Sequence, residues 1–411
     1  MKRENDESRG NMIPPAPASF LKFLRSARRA AALLLWAFLV TCLSSCWSQR
    51  ELNTLAIVLG TALDVGEQPD TLKVTAQVVK ASEIGSGSGG GSGGKAYVNI
   101  SGTGPSMLSA VRGITHKQNR RLYFAHNDVL IFSSELAKLD IAEGLDAFTR
   151  DYEARMNVNI LVARGRAEDI LNEDVDLEKI PAAHIAGMME NQTANSETVV
   201  VTLRDFVIAT LSGSKAPVAP MIELYESGGK KYAQLEGTAV FKQGKMVGEL
   251  DRAQTRGLLW VTNQTKSGAM TVDTQWGQVV LEYVHSKNSL KPVKGEDGAI
   301  RMELTIREEA VIESNETTED ISTLENLEIL KEHMKDGILT DIGNALGQAR
   351  ALCADIFGFG EAIRRTYPDD WEKMKADWDA LFPEIQLDVE IIVKLRSTGS
   401  LSRPVVPGGA Q

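Results

Sequence analysis

The pattern that most restricts the fold lies in the C-terminal part of the chain. Leu327, Leu330, Met334, Ile338, Ile342, Leu346, Ala349 and Cys353 recur at steps of three or four, the apolar stripe of one long helix. Farther on, Ile385, Leu387, Val389, Ile391, Val393 and Leu395 recur at steps of two, a strand with one apolar face. A one-faced strand and a one-striped helix each need a partner to cover them. This region is therefore expected to be a sheet with two or three helices on one face. Ser322-Thr323-Leu324-Glu325 predicts a capping box at the start of the long helix, and Gly358 predicts its end. Pro368 restarts a helix carrying Trp371, Met374, Trp378 and Leu381. Ala299 to Glu308 alternates as a strand, and Lys242-Gln243-Gly244-Lys245 joins strands over 235–241 and 246–250 as a hairpin.

Upstream, strands are expected over 53–64 and 71–82, the second with a half-buried period of two. Helices are expected over 105–117, 134–150, 181–191 and 203–211, a short one from Ala167, and strands over 128–133 and 156–162; 197–203 is expected to be extended. Mixed helices and strands in this order give an α+β class, as two or three successive sheet-plus-helix domains after a signal segment. The expected divisions are 46–190, a small middle domain or connection over 191–225, and 226–400. Gly85 to Gly94, GSGSGGGSGG, cannot bury a core and is expected to be a flexible loop. Its match to G-x4-G-K over Gly89 to Lys95 lacks the Ser/Thr that would hold magnesium, because Ala96 stands there.

The first 45 residues have the order of a secretory leader. Lys22, Arg25, Arg28 and Arg29 precede an uncharged run from Ala30 to Leu43, too short for the roughly 20 apolar residues of a membrane span. Leu43-Ser44-Ser45-Cys46 then places small residues before a cysteine, as in a bacterial lipobox. Cys46 would carry a diacylglycerol thioether, with an N-acyl group on the same residue, and would be the mature N-terminus. The alternatives are a plain secretory signal or an uncleaved anchor with an incidental cysteine. Two acyl chains make a stable tether, whereas one is marginal. They are needed, because the full chain carries a net charge of −10 and the body after the leader is more acidic still, so anionic lipid repels it.

That acidity also argues against nucleic acid as a partner. Of three cysteines only Cys353 lies in the body, so no internal disulfide is expected there. The five histidines show no metal-ligand spacing, and no metal site is expected. Asp369-Asp370 suits a helix N-terminus better than a metal pair. Glu308 and Glu309 would point to opposite faces of their strand, and Cys353 is expected to be inert core. Trp371 to Trp378 is expected to pack in the core rather than form a ligand shelf. No nucleophile, base and oxyanion donor assemble, so no enzyme is expected and no catalytic residue is assigned. The polar cluster that stands out is Arg120, Arg121 and His126 before one strand, with Arg150, Glu153 and Arg155 before the next. It is either a solvated rim or a surface that docks another protein or a small ligand.

Several stretches together resemble the Ger(x)C family of spore germination lipoproteins. CWSQREL, residues 46 to 52, is similar to the C-W-D-x-R-E-L start of the mature family members. The likeness continues through AVRGITHKQNRRLYFAHNDVLIFSSELA (110–137), LDAFTRDYEARMNVNILVARGRAEDIL (145–171) and LEGTAVFKQGKMVGEL (235–250). Ser48 and the Gly/Ser insertion depart from the pattern. The resemblance implies successive α+β domains, lipid-anchored on the outer face of the spore inner membrane. It implies the C subunit of a nutrient germinant receptor, acting with membrane-embedded A and B subunits and without known enzymatic activity. A solute-binding lipoprotein that captures a small molecule alone, and a surface hydrolase, are the competing readings.

Overall fold

The computed structural model describes residues 28–36, 54–84, 94–150, 153–316, 320–321 and 323–396. Cys46 and most of the Gly/Ser segment lie outside the described residues. The described part of the leader is helix α1, residues 28–36. Among the described residues, no helix is long and apolar enough to cross a membrane.

The body from Leu55 onward is built on two sheets. In the first, β1 (Leu55–Val65), β2 (Leu72–Val79) and β3 (Tyr97–Gly104) form an antiparallel meander. A short helix α2 (Ala81–Ile84) follows β2, and α3 (Met107–Thr115) follows β3 behind a Ser106 capping box. The three-residue β4 (Arg121–Tyr123) pairs in parallel with the start of β1, from Leu55↔Arg121 to Ile57↔Tyr123. β5 (Val129–Ser133) lies parallel to β1 farther along. Helices α4 (Ser134–Leu139) and α5 (Ala142–Arg150) lead to β6 (Asn159–Ala163), parallel to β5. Then come α6 (Ala167–Ile170), α7 (Pro181–Asn191) and α8 (Leu203–Ser212). β7 (Val218–Ser227) pairs in parallel with β6, and β8 (Lys230–Lys242) and β9 (Lys245–Leu250) complete the sheet as antiparallel strands. The division expected at 225/226 falls within β7.

Both faces of this sheet are covered. In β5, Leu130 and Phe132 enter one apolar cluster with residues of α3, α4 and α5. Val129 and Ile131 enter a second cluster with residues of α6 and α7. Burial on both sides is why β5 is a continuous apolar run rather than an alternation. It also corrects the expectation for β2, whose Val74, Thr75, Ala76, Gln77 and Val78 are all buried. The polar members are satisfied: Gln77 donates to Asn99 and the Leu171 carbonyl at 2.9 and 2.7 Å, and its oxygen accepts from Ala182 N. The single helix expected over 134–150 is two, because Asp140 is extended and its Oδ1 accepts from Ala142 N at 2.7 Å, starting a new helix. The β8–β9 turn has Gln243 at φ 49° and Gly244 at φ 81°, the left-handed pair that matches hairpin twist.

After α9 (Arg252–Val261) comes the second sheet, β10 (Gly268–Thr274), β11 (Gly277–Lys294), β12 (Ile300–Asn315) and β13 (Leu387–Leu395), paired in that order. Only β12 and β13 run parallel, and the long α10 (Leu324–Ala351) connects them with α11 (Phe359–Thr366), α12 (Pro368–Met374) and α13 (Trp378–Leu381). Leu330, Met334, Ile338, Ile342, Ala345 and Ala349 are the buried stripe of α10. Gly257 lets α9 approach α10, since a Cβ there would stand 2.1 Å from the Asp341 carbonyl oxygen. With mixed sheets and segregated helices, the class is α+β.

Three local expectations change. The N-cap of α10 is Thr323, which accepts from Asn326 N, so the cap sits one residue later than the expected box. The helix ends at Ala351, well before Gly358, which instead precedes α11. Cys353 is past the helix at φ 47° and only partly buried, not on the core stripe. Trp371 and Trp378 pack edge to face in the core with ring centroids 5.3 Å apart. Asp369 and Asp370 lie in the first turn of α12, and Asp370 pairs with Lys294 at 2.7 Å.

Candidate functional site

A groove lies between α3 and α5, beside β4. Its volume is about 610 Å³. Met107, Leu108 and Val111 of α3, Leu122 of β4 and Phe124 give it an apolar floor, and Arg112, Arg121, Arg150 and Glu153 supply the charge. Helix α3 serves two faces. Met107, Ala110 and Ile114 point into the core, while Leu108, 58% exposed, offers apolar surface to the groove. Phe124 is held from behind by an edge-to-face contact with Phe148, centroids 6.0 Å apart.

Three of the six residues singled out from the sequence meet here: Arg121, Arg150 and Glu153. Arg121 Nη2 donates to Glu153 Oε1 at 3.2 Å, across the groove's end. The Glu153 side chain is nearly covered, 6% exposed, whereas the Arg121 side chain is 57% exposed. Glu153 therefore fixes Arg121 in place and leaves its outer N–H groups free to bind. Arg150 Nε donates to Asp146 Oδ2 at 2.7 Å, one turn back on α5, and that carboxylate raises the Arg150 pKa further. Surface pairs of this kind contribute little to stability, about 0–1 kcal/mol. Their effect is to orient the two guanidinium groups. Arg112 makes no ion pair among the described residues.

The other three residues are elsewhere. His126 and Arg155 both lie near Asp128, whose carboxyl is pushed up by burial, an effect these two neighbours oppose. His126 also packs edge to face with Tyr123, centroids 6.0 Å apart. Arg120 is exposed and does not line the groove. Sequence reasoning missed Arg112, Leu108 and Val111. The available signal was the second apolar stripe of α3, offset by one position from its core stripe.

Among the described residues, no three His, Cys, Asp or Glu side chains gather to hold a metal ion. The groove's chemistry is that of a binding surface: apolar area flanked by guanidinium groups, on a chain whose net charge is −10. Covering one exposed leucine such as Leu108 would contribute about 1–2 kcal/mol. Planar guanidinium groups favour carboxylates or phosphates at the rim.

Both halves of the body resemble known proteins. Residues 48–224 match the family described as "Spore germination protein N-terminal domain", and residues 236–399 match "Spore germination B3/ GerAC like, C-terminal". Spore germination protein YndF of Bacillus subtilis (strain 168) is 29% identical over 403 residues, covering 91% of this chain and 98% of that protein. Spore germination protein KC of the same organism is 27% identical over 404 residues, with 92% and 98% covered. Among solved structures, the crystal structure of the GerBC protein superposes with a TM-score of 0.56 at 20% identity. It covers 83% of this chain and 98% of that chain, and it supports the fold.

Proposed function

Because the chain belongs to the GerAC-like family of spore germination proteins, we propose that it is the lipid-anchored subunit of a nutrient germinant receptor. In this reading it acts with membrane-embedded A and B subunits on the outer face of the spore inner membrane. The role in spore germination itself follows from the family. The finer assignment rests on one observation: the apolar, arginine-rimmed groove is built at the very start of the folded body. Its Arg121 lies on β4, opposite Leu55, the first residue of β1.

Leu55 lies nine positions after Cys46. A diacylglycerol on Cys46 would keep the start of β1 within about 30 Å of the attachment point even if the tether were fully extended. Tethering of this kind replaces a three-dimensional search with a high local concentration at the membrane. The groove would then receive an extramembrane segment of the A or B subunit. Leucine or aromatic anchors would lie against Leu108, Val111 and Phe124, and carboxylates would meet Arg112, Arg121 and Arg150. The proposed role is binding, not catalysis.

Two variants test the parts separately. Cys46→Ala is expected to leave the membrane fraction and to abolish nutrient-triggered germination. Leu108→Asp combined with Arg112→Glu is expected to stay on the membrane yet fail to co-purify with the A and B subunits. Full germination by a soluble Cys46→Ala protein would refute the tether, and normal co-purification of the groove variant would refute the docking surface.

A further inference from the structure

Strand β13 closes the second sheet on one side. Among the described residues β12 is its one strand neighbour, and its other edge pairs with nothing. The hydrogen bonds show which backbone groups lie on that edge. Met302 N donates to the Gln386 carbonyl, and Arg396 N donates to the Ala310 carbonyl. Even-numbered residues of β13 therefore turn their N–H and C=O groups to β12, and Leu387, Val389, Ile391, Val393 and Leu395 turn theirs away. Among the described residues, none of these outward groups makes a hydrogen bond. The register with β12 runs from Leu387 to Leu395 without a bulge, and neither Pro nor Gly interrupts the strand. Such devices, or a covering element, usually blunt a native edge. Of the five helix-facing side chains only Val393 is buried; the other four are partly exposed along the same edge.

The solvent-facing side chains carry an order that selects a partner. Asp388 and Glu390 precede Ile392, and Lys394 and Arg396 follow it, so the charge pattern inverts about Ile392. A second copy laid parallel and in register would set like charges opposite one another. An antiparallel copy turned about Ile392 sets Asp388 against Arg396 of the second copy, Glu390 against Lys394, and Ile392 against its own counterpart. On the helix side the same register sets Val389 against Leu395 and Ile391 against Val393, the residues whose backbone groups are unpaired. Hydrogen bonds, apolar contacts and charges thus agree on one register. Within one copy, Arg301 pairs with Asp388 at 3.0 Å and Glu309 with Lys394 at 3.7 Å. Glu309 also pairs with Arg396. These contacts leave the Asp388, Lys394 and Arg396 side chains 61%, 68% and 58% exposed.

We propose that β13 is a self-association edge, at which two copies of this chain pair antiparallel about Ile392 and join their second sheets into one. The contact is isologous, each copy giving the same strand. The two-fold axis stands perpendicular to the sheet, so the helices of both copies stay on one side. Main-chain hydrogen bonds supply the attraction and the inverted charges fix the register, as in other strand additions. One strand against one strand is a small interface, so the pair is favoured by high protein concentration. It needs neither the groove nor Cys46.

Ile392→Cys in the purified full chain is expected to trap the pair on mild oxidation. Opposed residues of a non-hydrogen-bonded antiparallel pair have Cα atoms about 4.5 Å apart, within disulfide reach. Ser289→Cys is the control: it is exposed on β11, two strands away from the pairing edge. At equal protein concentration Ile392→Cys is expected to form covalent dimer at least about tenfold faster than Ser289→Cys, or than the unsubstituted chain with Cys42, Cys46 and Cys353. Adding Lys394→Glu sets like charges opposite each other and is expected to slow the Ile392→Cys reaction about tenfold. Adding Glu390→Lys as well is expected to restore it. These side chains face solvent, so the series leaves the core untouched. Absence of an Ile392-linked dimer, equal rates for the two cysteine positions, or no rescue by the charge swap would each overturn the assignment.

Discussion

The two sheets solve the burial problem differently. β5, in the first, has all five residues buried, with side chains entering separate clusters above and below. β13, in the second, alternates: Val389, Ile391 and Val393 face the helices while Asp388, Glu390 and Ile392 face outward. A strand covered on both sides is fixed by packing alone, and one covered on a single side keeps a face whose chemistry is nearly free. The contrast explains why the charged, solvent-facing positions of the second sheet tolerate ion pairs such as Glu309 with Lys394, while the centre of the first sheet is almost wholly apolar.

The largest effect that would break this comparison is expected at Phe132, fully buried in β5. Phe132→Ala is expected to destabilise the chain by about 3–5 kcal/mol in denaturant unfolding, through lost burial and the cavity left behind. A change under 1 kcal/mol would mean the first sheet is not packed on both faces.

Next comes a polar residue on the buried face of the second sheet. Glu308 continues the Met302, Leu304 and Ile306 side of β12, is 1% exposed, and among the described residues neither carboxylate oxygen makes a hydrogen bond of ordinary geometry. Burial pushes its carboxyl up to about 8. Since this folded-state value lies above the unfolded one near 4.5, the folded protein holds the proton longer. The stability linked to it is fully present below about pH 4.5 and is lost as pH rises toward 8. Glu308→Met is expected to remove this loss, gaining about 2–4 kcal/mol at pH 8 with little change at pH 4. Parallel unfolding curves at the two pH values check it, and a pH-independent difference would contradict it.

Smaller still is the cap of α10. Thr323→Ala is expected to cost about 1 kcal/mol, because the Asn326 N–H loses its acceptor. The smallest change is expected on the free face of the second sheet: Ile392, 42% exposed, replaced by Ala should shift stability by no more than about 0.5 kcal/mol. A shift comparable to that of Phe132→Ala would show that the outer face of β13 is covered after all.

Much of the fold was legible because local periodicity reports local geometry. The α10 stripe, the β13 alternation, the helix over Pro181–Asn191 and the Lys242–Lys245 hairpin all appear where the spacing put them. The strands β10 and β11 are not legible, since Gly268 to Lys294 mixes apolar and polar residues without a clean period. The end of α10 was misplaced because a glycine is the usual left-handed residue after a helix, and here Cys353 takes that conformation. Half of the candidate surface was legible for a similar reason. Arg121, Arg150 and Glu153 stood out as charges at strand entrances, but nothing in their spacing separates them from Arg120, His126 and Arg155.

The sequence by itself determined the alternation of sheet and helix, the charged–apolar–cysteine order of the leader, and the likeness to a family. Those properties are written in neighbours along the chain. Only the tertiary structure decided that α3, β4 and α5 enclose one groove, and that Glu308 is buried on the helix-covered face of the second sheet. Both depend on residues far apart in sequence whose distances are set by sheet register and helix packing, which no local spacing encodes.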